Sequence, residues 1–414
     1  MVEPHESRPL GTHPCLALLC PTSREYAHRI GDFGRVMLEF DLKSGQAVQL
    51  DDVLKLTHSG RVRSAAAKGA RIDVRSMGCE AGAAEPPFLM DSSGLYVVPN
   101  GLAYGGLYVE HAGKLLTQHD LMPIYIAAEI ASGAFDVAAE RRQRTNLLAL
   151  STPAILLNSI SRWVYGHWLL DIWPRCWSAR LVLGKHFSRY KVLVPQDSPA
   201  YAFDVLHDVL GVGPQQVVRY DADTHAVTSP SLIAPSLLHN SYCLHPQFAG
   251  FVTHMKRHFR IAAGRRERRI FLSRKQYRAG SRSVRRMLAG EADIEALFVS
   301  RGFEIVRPED LGFGQQIALF DDARIVAGEG GSALHNTVFS GPGTVVVSLS
   351  RISDVQEKLA SACDHHFITV HPDELAHHDG VEVQHYRLSS IGRAIDLAEA
   401  CAASGGVEVP PLSL

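Results

Sequence analysis

The sequence predicts an α/β protein: two successive doubly wound units facing a cleft, preceded by a β-rich N-terminal region. Three observations carry that expectation. From about Thr152, short β-branched runs alternate with amphipathic segments through two successive blocks, which is the pattern of parallel strands joined by crossover helices. The run from Arg324 to Ser350 passes from apolar strand to glycine-rich turn, helix and second strand, an arrangement that leaves backbone N–H groups free above a parallel sheet, where a phosphate fits. Before about residue 150, short apolar runs such as Gly94 to Pro99 and Leu107 to Val109 are broken by Gly and Pro without helical periodicity, so that region reads as strands.

The elements follow in order. Ala154 to Leu157 is apolar and reads as a strand; Trp163 to Leu183 reads as a helix bent at Pro174, whose ring removes a backbone donor. Lys191 to Val194 is a strand, Ala200 to Leu210 a helix, Gln216 to Tyr220 a strand, and Leu232 to Pro235 adds a further short strand. Phe248 to Ile261 is a helix, and Ala263 to Arg266 the hinge into the next block. There, Arg269 to Ser273 is a strand, Val284 to Ser300 a helix, Phe303 to Arg307 a strand and Phe313 to Asp321 a helix. Ala323 to Ala327 is a strand, Gly328 to Ser332 the turn, and Ala333 to Phe339 a helix stopped by Gly341-Pro342; Val345 to Val347 makes the next buried strand. A last amphipathic helix over Ile391 to Ala403 is expected to pack back on the first α/β unit. The expected partition is 1–150, 151–263 with helix 389–404, and 264–388.

Composition bounds the function. A chain of 414 residues with 46% hydrophobic and 21% charged residues is an ordinary globular protein of two or three domains. Its net charge of -1 gives no bulk attraction to nucleic acid or anionic membranes. One local exception exists: His254 to Arg286 holds thirteen Lys and Arg against a single acid, Glu267. The seven cysteines include no CxxC pair, which fits a reduced compartment. The chain has no run of 18 apolar residues, and its N-terminus lacks the basic start and apolar core of a signal peptide, so cytoplasmic residence is expected, either free or at the inner face of a membrane. Among 21 histidines there is no HExxH; His365-His366 and His377-His378 read as exposed loop residues, and no metal is expected.

Two clusters of residues suit chemistry. His167, Asp171 and Arg175 are spaced four apart and share a helix face, with Trp168 beside them. A carboxylate one turn from a histidine fixes its tautomer and raises its basicity, as a general base requires; a salt-bridged helix face is the plain alternative. All four tryptophans, at 163, 168, 173 and 177, fall in this segment, which suits either a sugar-binding surface or a large core helix. The second cluster is Arg274, at the carboxyl end of its strand, with the Gly328 to Asn336 turn. Arginine grips a diphosphate in bidentate fashion, although a solvated arginine in a basic stretch reads equally well. The turn lacks the lysine of a Walker loop and the GxGxxG order of a dinucleotide site. Glu329 would repel a phosphate, so it is expected to point away or to bind a hydroxyl. Ser332 and Asn336 suit either ligand binding or capping. Arg282, Arg285 and Arg286, which precede or open a helix in this reading, are weaker candidates.

Together, GHWLLDIWPR, RRIFLSR and the stretch through RPEDLGFGQQ to RIVAGEGGSALHNTVFSGPG resemble glycosyltransferase family 61, from near Thr152 through Ser350, about half the chain. The resemblance implies a GT-B architecture of two Rossmann-like domains. It further implies transfer that inverts the anomeric carbon, without an essential metal or other cofactor, in an enzyme of the bacterial capsular or exopolysaccharide type. The implied partners are a nucleotide sugar, a UDP-sugar first among them, and a glycan acceptor. By position, the family's HWLL(D/E)xxPR element falls on His167, Trp168, Leu169, Leu170, Asp171, Pro174 and Arg175. The resemblance assigns His167 and Asp171 to catalysis and Trp168 and Arg175 to the acceptor. To the nucleotide sugar it assigns Arg274, Glu291, Gln316, Gly328, Gly331, Ser332 and Asn336; Gly330 and His335, in the same turn, are candidates as well, His335 as a substitute phosphate ligand. Two positions depart from the family pattern: Gly330 stands where a histidine is usual, and His335 where a threonine is usual.

Other classes fit less well. A carbohydrate- or nucleotide-binding protein that keeps the fold without turnover accounts for the missing histidine. A nicotinamide-dependent oxidoreductase needs a different glycine order. A nucleic-acid binder would use the basic run, where Phe259, Phe271 and Tyr277 are the only aromatics.

Overall fold

Val192, Leu193 and Val194 are wholly buried, as are Val345, Val346 and Val347, and both triplets lie in strands with parallel neighbours on either side. The computed structural model describes residues 47–50, 53–57, 62–63, 71–75, 78–82, 89–90 and 93–404, the last span without 106, 119, 123, 158, 160, 263, 276–285 and 351–353. Two units emerge, one from segments up to 63, 89–241 and 245–251, the other from 64–88, 242–244 and 252 onward.

The first unit is built on four parallel strands in the spatial order Val217–Tyr220, Lys191–Pro195, Ala154–Leu156, His225–Pro235. In chain order this is third, second, first, fourth, the order of half a dinucleotide-type sheet. Gly94–Tyr104 lines the far side antiparallel, with Val97 opposite Ile233; Val53–Thr57 and Ala47–Leu50 continue outward. Asn146–Ala149 pairs with the start of His225–Pro235.

Between the first two strands the chain is helical in four pieces: Tyr165–His167, a π-turn over Trp168–Ile172, Trp173–Leu183, and a 3₁₀ segment over Gly184–Arg189. The sequence predicts one helix bent at Pro174. What forms is a wide turn that ends two residues before that proline. Pro174 has no N–H for the Leu170 carbonyl, and Trp173 N–H bonds five residues back to the Trp168 carbonyl. Such π-turns recur at functional sites.

The second unit has five parallel strands in the order Glu304–Val306, Arg268–Leu272, Ala323–Glu329, Val345–Leu349, His366–Val370. That is second, first, third, fourth, fifth, the flavodoxin-like order. The sheet then takes in Arg71–Arg75, parallel to His366–Val370, and Gly78–Gly82, antiparallel to Arg71–Arg75. Its core joins Ile325, Val345 and Ile368 to Ile391, Ile395 and Ala398 of helix Leu388–Ala403.

Several expectations are thereby corrected. Residues 1–150 are not a region apart: Arg71–Arg75 lies in the second sheet and Gly94–Tyr104 in the first. Alternation marks a strand but not its partner, and an open sheet edge is completed by whatever strand reaches it. Helix Leu388–Ala403 packs on the second unit's own sheet, not on the first unit. The helix expected over Val284 to Ser300 is a short strand, Arg286–Leu288, then Gly290 in the left-handed conformation (φ 63°), then helix Glu291–Ser300. Arg286–Leu288 pairs with Val381–His385. His365 and His366 are buried, and His366 opens a core strand; His377 and His378 lie exposed in strand Glu374–His378.

Part of the basic run is spent on internal partners. Lys256 pairs with Asp321, Arg268 with Glu304 and Asp322, and Arg269 with Glu399; Arg266 donates to the Gly341 and Pro342 carbonyls. Arg278, Arg282 and Arg285 lie outside the described residues. Among the described residues, no helix is long and apolar enough to cross a membrane.

Candidate active site

In open α/β sheets, ligands sit beyond the carboxyl ends of the strands where strand order reverses. In the first unit this point lies between Ala154–Leu156 and His225–Pro235. The chain leaving the first strand supplies Ser159, His167 and Asp171; the chain leaving the second supplies His239. His167 Nδ1 lies 2.6 Å from Asp171 Oδ2, and His239 Nε2 lies 2.8 Å from Asp171 Oδ1. Ser159 Oγ donates to Asp171 Oδ2 at 3.3 Å. Asp171 and His239 are buried, while the His167 side chain keeps 19% of its surface.

An ionised Asp171 accepts from both rings, which places a proton on His167 Nδ1 and leaves a lone pair on its Nε2. Burial by itself would raise the Asp171 pKa, but hydrogen bonds from His167 and His239, with their charge, hold the carboxyl well below the usual carboxylate range. For His167 burial pulls the pKa down, and the Asp171 hydrogen bond and charge outweigh it, so the net shift is upward. The two nitrogens touch the carboxylate directly, with no gap for an ion, and no metal-binding cluster occurs among the described residues. The trio has the geometry of an oriented general base.

The two residues expected to meet the acceptor do something else. Trp168 is fully buried; its Nε1–H donates to the Arg162 carbonyl at 2.6 Å and its ring packs near Trp173. A ring without surface does not stack on a sugar. Arg175 is buried as well, donating from Nε to the Pro235 carbonyl at 2.7 Å and from a terminal nitrogen to the Leu121 carbonyl at 2.9 Å. Burial pushes its pKa down to about 10. It ties the helix to the loops beside it. Trp173 is also core, Trp177 lies against Phe251, and Trp163 alone among the four is exposed.

The second unit's switch point lies between Arg268–Leu272 and Ala323–Glu329, where Arg274 and the glycine turn meet. Glu329 neither points away nor stands free. It is buried, and its Oε1 takes Arg274 at 3.1 Å and Arg286 Nε at 3.4 Å. Two partly exposed guanidiniums thus share one buried carboxylate. Gly331 (φ +152°) lies under both: a Cβ there would come within 3.2 Å of Arg274 and 3.3 Å of Arg286. Gly330 N–H bonds the Leu349 carbonyl, whereas the N–H groups of Gly331, Ser332 and Ala333 take no acceptor among the described residues. The expected helix after the turn is a six-residue 3₁₀ segment, Leu334–Phe339, whose dipole is correspondingly small.

The other expected ligands divide. Asn336 is wholly buried, donating to Gln316 Oε1 at 3.2 Å, and Gln316 donates to the Pro308 and Leu311 carbonyls; this pair braces the turn from below. His335 Nδ1 lies 3.1 Å from Gln356 Oε1. Glu291 opens helix Glu291–Ser300, where a carboxylate suits the dipole. Gly328 packs its Cα against Leu272, where a Cβ would come within 3.0 Å, so it serves close strand packing. Sequence reasoning missed His239, which has no fixed spacing from His167. It also discounted Arg286, because the segment reads as a helix start.

His167, Asp171, His239, Arg274, Arg286 and the glycine turn fall within a recognised stretch, and Ser159 just before it: a family model described as Glycosyltransferase 61 matches residues 165–347, a little under half the chain. The α/β units and that match support a glycosyltransferase. The family they support is glycosyltransferase family 61. No curated protein matches the chain.

Proposed function

We propose that this chain is an inverting glycosyltransferase of family 61 that moves a sugar from a nucleotide sugar, a UDP-sugar first among them, to a hydroxyl of a growing glycan. It follows the GT-B division of labour, with the acceptor handled by the first unit and the donor by the second. Its setting is polysaccharide assembly of the bacterial capsular kind, on the cytoplasmic side of a membrane. The observation that carries the reading is His167 held at 2.6 Å by a buried carboxylate, its second nitrogen unclaimed among the described residues, inside the stretch that matches the family.

The chemistry is a single displacement. The acceptor hydroxyl gives its proton to His167 Nε2 as its oxygen bonds to the anomeric carbon; the bond from that carbon to the phosphate oxygen breaks, and its electron pair leaves with the diphosphate. Asp171 meets the charge that develops on His167, and His239 holds Asp171 in place. Arg274 and Arg286, with the N–H groups of Gly331, Ser332 and Ala333, meet the charge on the departing diphosphate. Arg274→Ala should lower kcat on the order of 10²–10³-fold; near-normal turnover would remove it from the mechanism.

One observation favours a second reading. Gly330, where the family usually has histidine, has no room for a side chain, since a Cβ would lie 2.8 Å from Ser350 Cβ and Oγ. A binder of nucleotides or glycans without turnover would tolerate that. Saturable UDP binding without sugar transfer from any UDP-sugar would establish it.

A further inference from the structure

Of the chain's four tryptophans, Trp163 alone keeps more than half its surface, at 57%. It does not hang loose. The Arg162 guanidinium lies 5.0 Å from the centroid of its ring, so one face is backed by a cation. That guanidinium is itself pinned, from Nε to Asp197 Oδ1 at 2.7 Å and from a terminal nitrogen to Asp223 Oδ2 at 2.9 Å. The Arg162 carbonyl accepts the Trp168 indole N–H at 2.6 Å, and Val164 N–H closes the turn onto the Ser161 carbonyl. Arg162 is buried while the two aspartates stay 47% and 71% exposed, so their remaining lone pairs face solvent.

Strand order puts these groups together. Trp163 follows strand Ala154–Leu156, Asp197 follows Lys191–Pro195, and Asp223 follows Val217–Tyr220. Three adjacent parallel strands thus deliver an aromatic face and two carboxylates beyond one edge of the sheet, the edge at which ligands bind. The same edge carries His167, four residues past Trp163. A flat ring beside outward-facing carboxylates matches a pyranose: the C–H face lies on the indole, and hydroxyls at the rim donate to the carboxylates.

We propose that Trp163, backed by Arg162 and flanked by Asp197 and Asp223, is a stacking platform for a sugar ring of the acceptor glycan. The inference rests on the transferase reading for the identity of its ligand. It replaces the buried Trp168 as the aromatic contact and lies just outside the stretch matched by the family model. Its role is binding, not chemistry: the platform holds the acceptor chain while His167 takes the proton.

The test is fluorescence quenching. Trp168 and Trp173 are fully buried and Trp177 is half-buried, so acrylamide quenching of the wild-type protein reports mainly on Trp163. Cellotriose, chitotriose and galactotriose serve as probes. At least one should slow quenching saturably, and the protection should vanish in Trp163→Ala and weaken by roughly tenfold in apparent affinity in Asp197→Asn/Asp223→Asn. Trp163→Ala changes an exposed residue, and an unchanged circular dichroism spectrum confirms its fold. Failure of all three trimers to slow quenching, or equal trimer binding by wild type and Trp163→Ala in calorimetry, overturns the platform. Nucleotide release from UDP-sugars, assayed beside it, keeps the two readings separable. Release unchanged in Trp163→Ala with an unaltered acceptor KM sinks the platform and leaves the transferase standing. Trimer protection without release from any UDP-sugar sinks the transferase and leaves the platform.

Discussion

Asp171 has two oxygens and two histidines, and how that carboxylate is shared sets how the site titrates. In the proposed mechanism His167 works as a base only when neutral, and its pKa lies above the ordinary 6.5 because Asp171 outweighs burial. The rate should therefore fall as pH drops through a midpoint above 6.5. In Asp171→Asn the raising influence is gone and burial remains, so the acidic limb should move to lower pH while kcat drops on the order of 10²–10⁴-fold. An acidic limb unchanged in His167→Ala would exclude His167 as the base. Stability follows with opposite signs: the His167 contribution is full below pH 6.5 and is lost as pH rises through its raised folded pKa. The Asp171 contribution is present above 3.8 and lost as pH falls through its lowered one. For His239 the prediction separates position from bulk. His239→Gln retains an N–H donor and should keep the acidic limb near its wild-type pH, whereas His239→Leu should shift it, which NMR titration of His167 reads without any substrate.

The glycine turn works as an element rather than residue by residue, because its shape is set by what it packs on. Gly330→His restores the residue usual in the family yet drives a side chain into Ser350. It should lower stability by about 1–3 kcal/mol, read as a fall in Tm, and Gly330→His/Ser350→Gly should recover most of it. A neighbouring element has its own titration. Burial pushes the His365 pKa down to about 4, with the Arg266 and His366 charges adding. Stability is full above 6.5 and declines as pH falls toward 4, by roughly 3 kcal/mol in all; His365→Leu should flatten that decline in pH-dependent denaturant melts. At this scale the sequence is legible where the signal is local. Val345 to Val347 and Phe313 to Asp321 read directly as the strand and helix they form. Arg286 did not, because its strand exists only through pairing with Val381–His385, some 90 residues on. The i, i+4 spacing of His167 and Asp171 made their contact legible, whereas His239 reaches Asp171 through strand order alone. Trp168 and Trp163 look alike in the sequence; burial, which depends on the whole unit, divides them.

Across the whole molecule, the proposed chemistry is distributed over two α/β units, each with its candidate groups at its own switch point. Variants should therefore separate by unit. UDP should raise Tm, and Arg274→Ala/Arg286→Ala should abolish that shift, whereas His167→Ala should bind UDP as the wild type does and fail only in transfer. Loss of the UDP shift in His167→Ala would break this assignment. The most direct test of the central claim is to incubate the full chain with a panel of radiolabelled UDP-sugars and a glycan acceptor, and to measure nucleotide release against glycosylated product. The account predicts one UDP released per sugar transferred, with the product linkage inverted relative to the donor and the signal lost in His167→Ala. Saturable nucleotide binding with no release, or a product that keeps the donor's anomeric configuration, would contradict it.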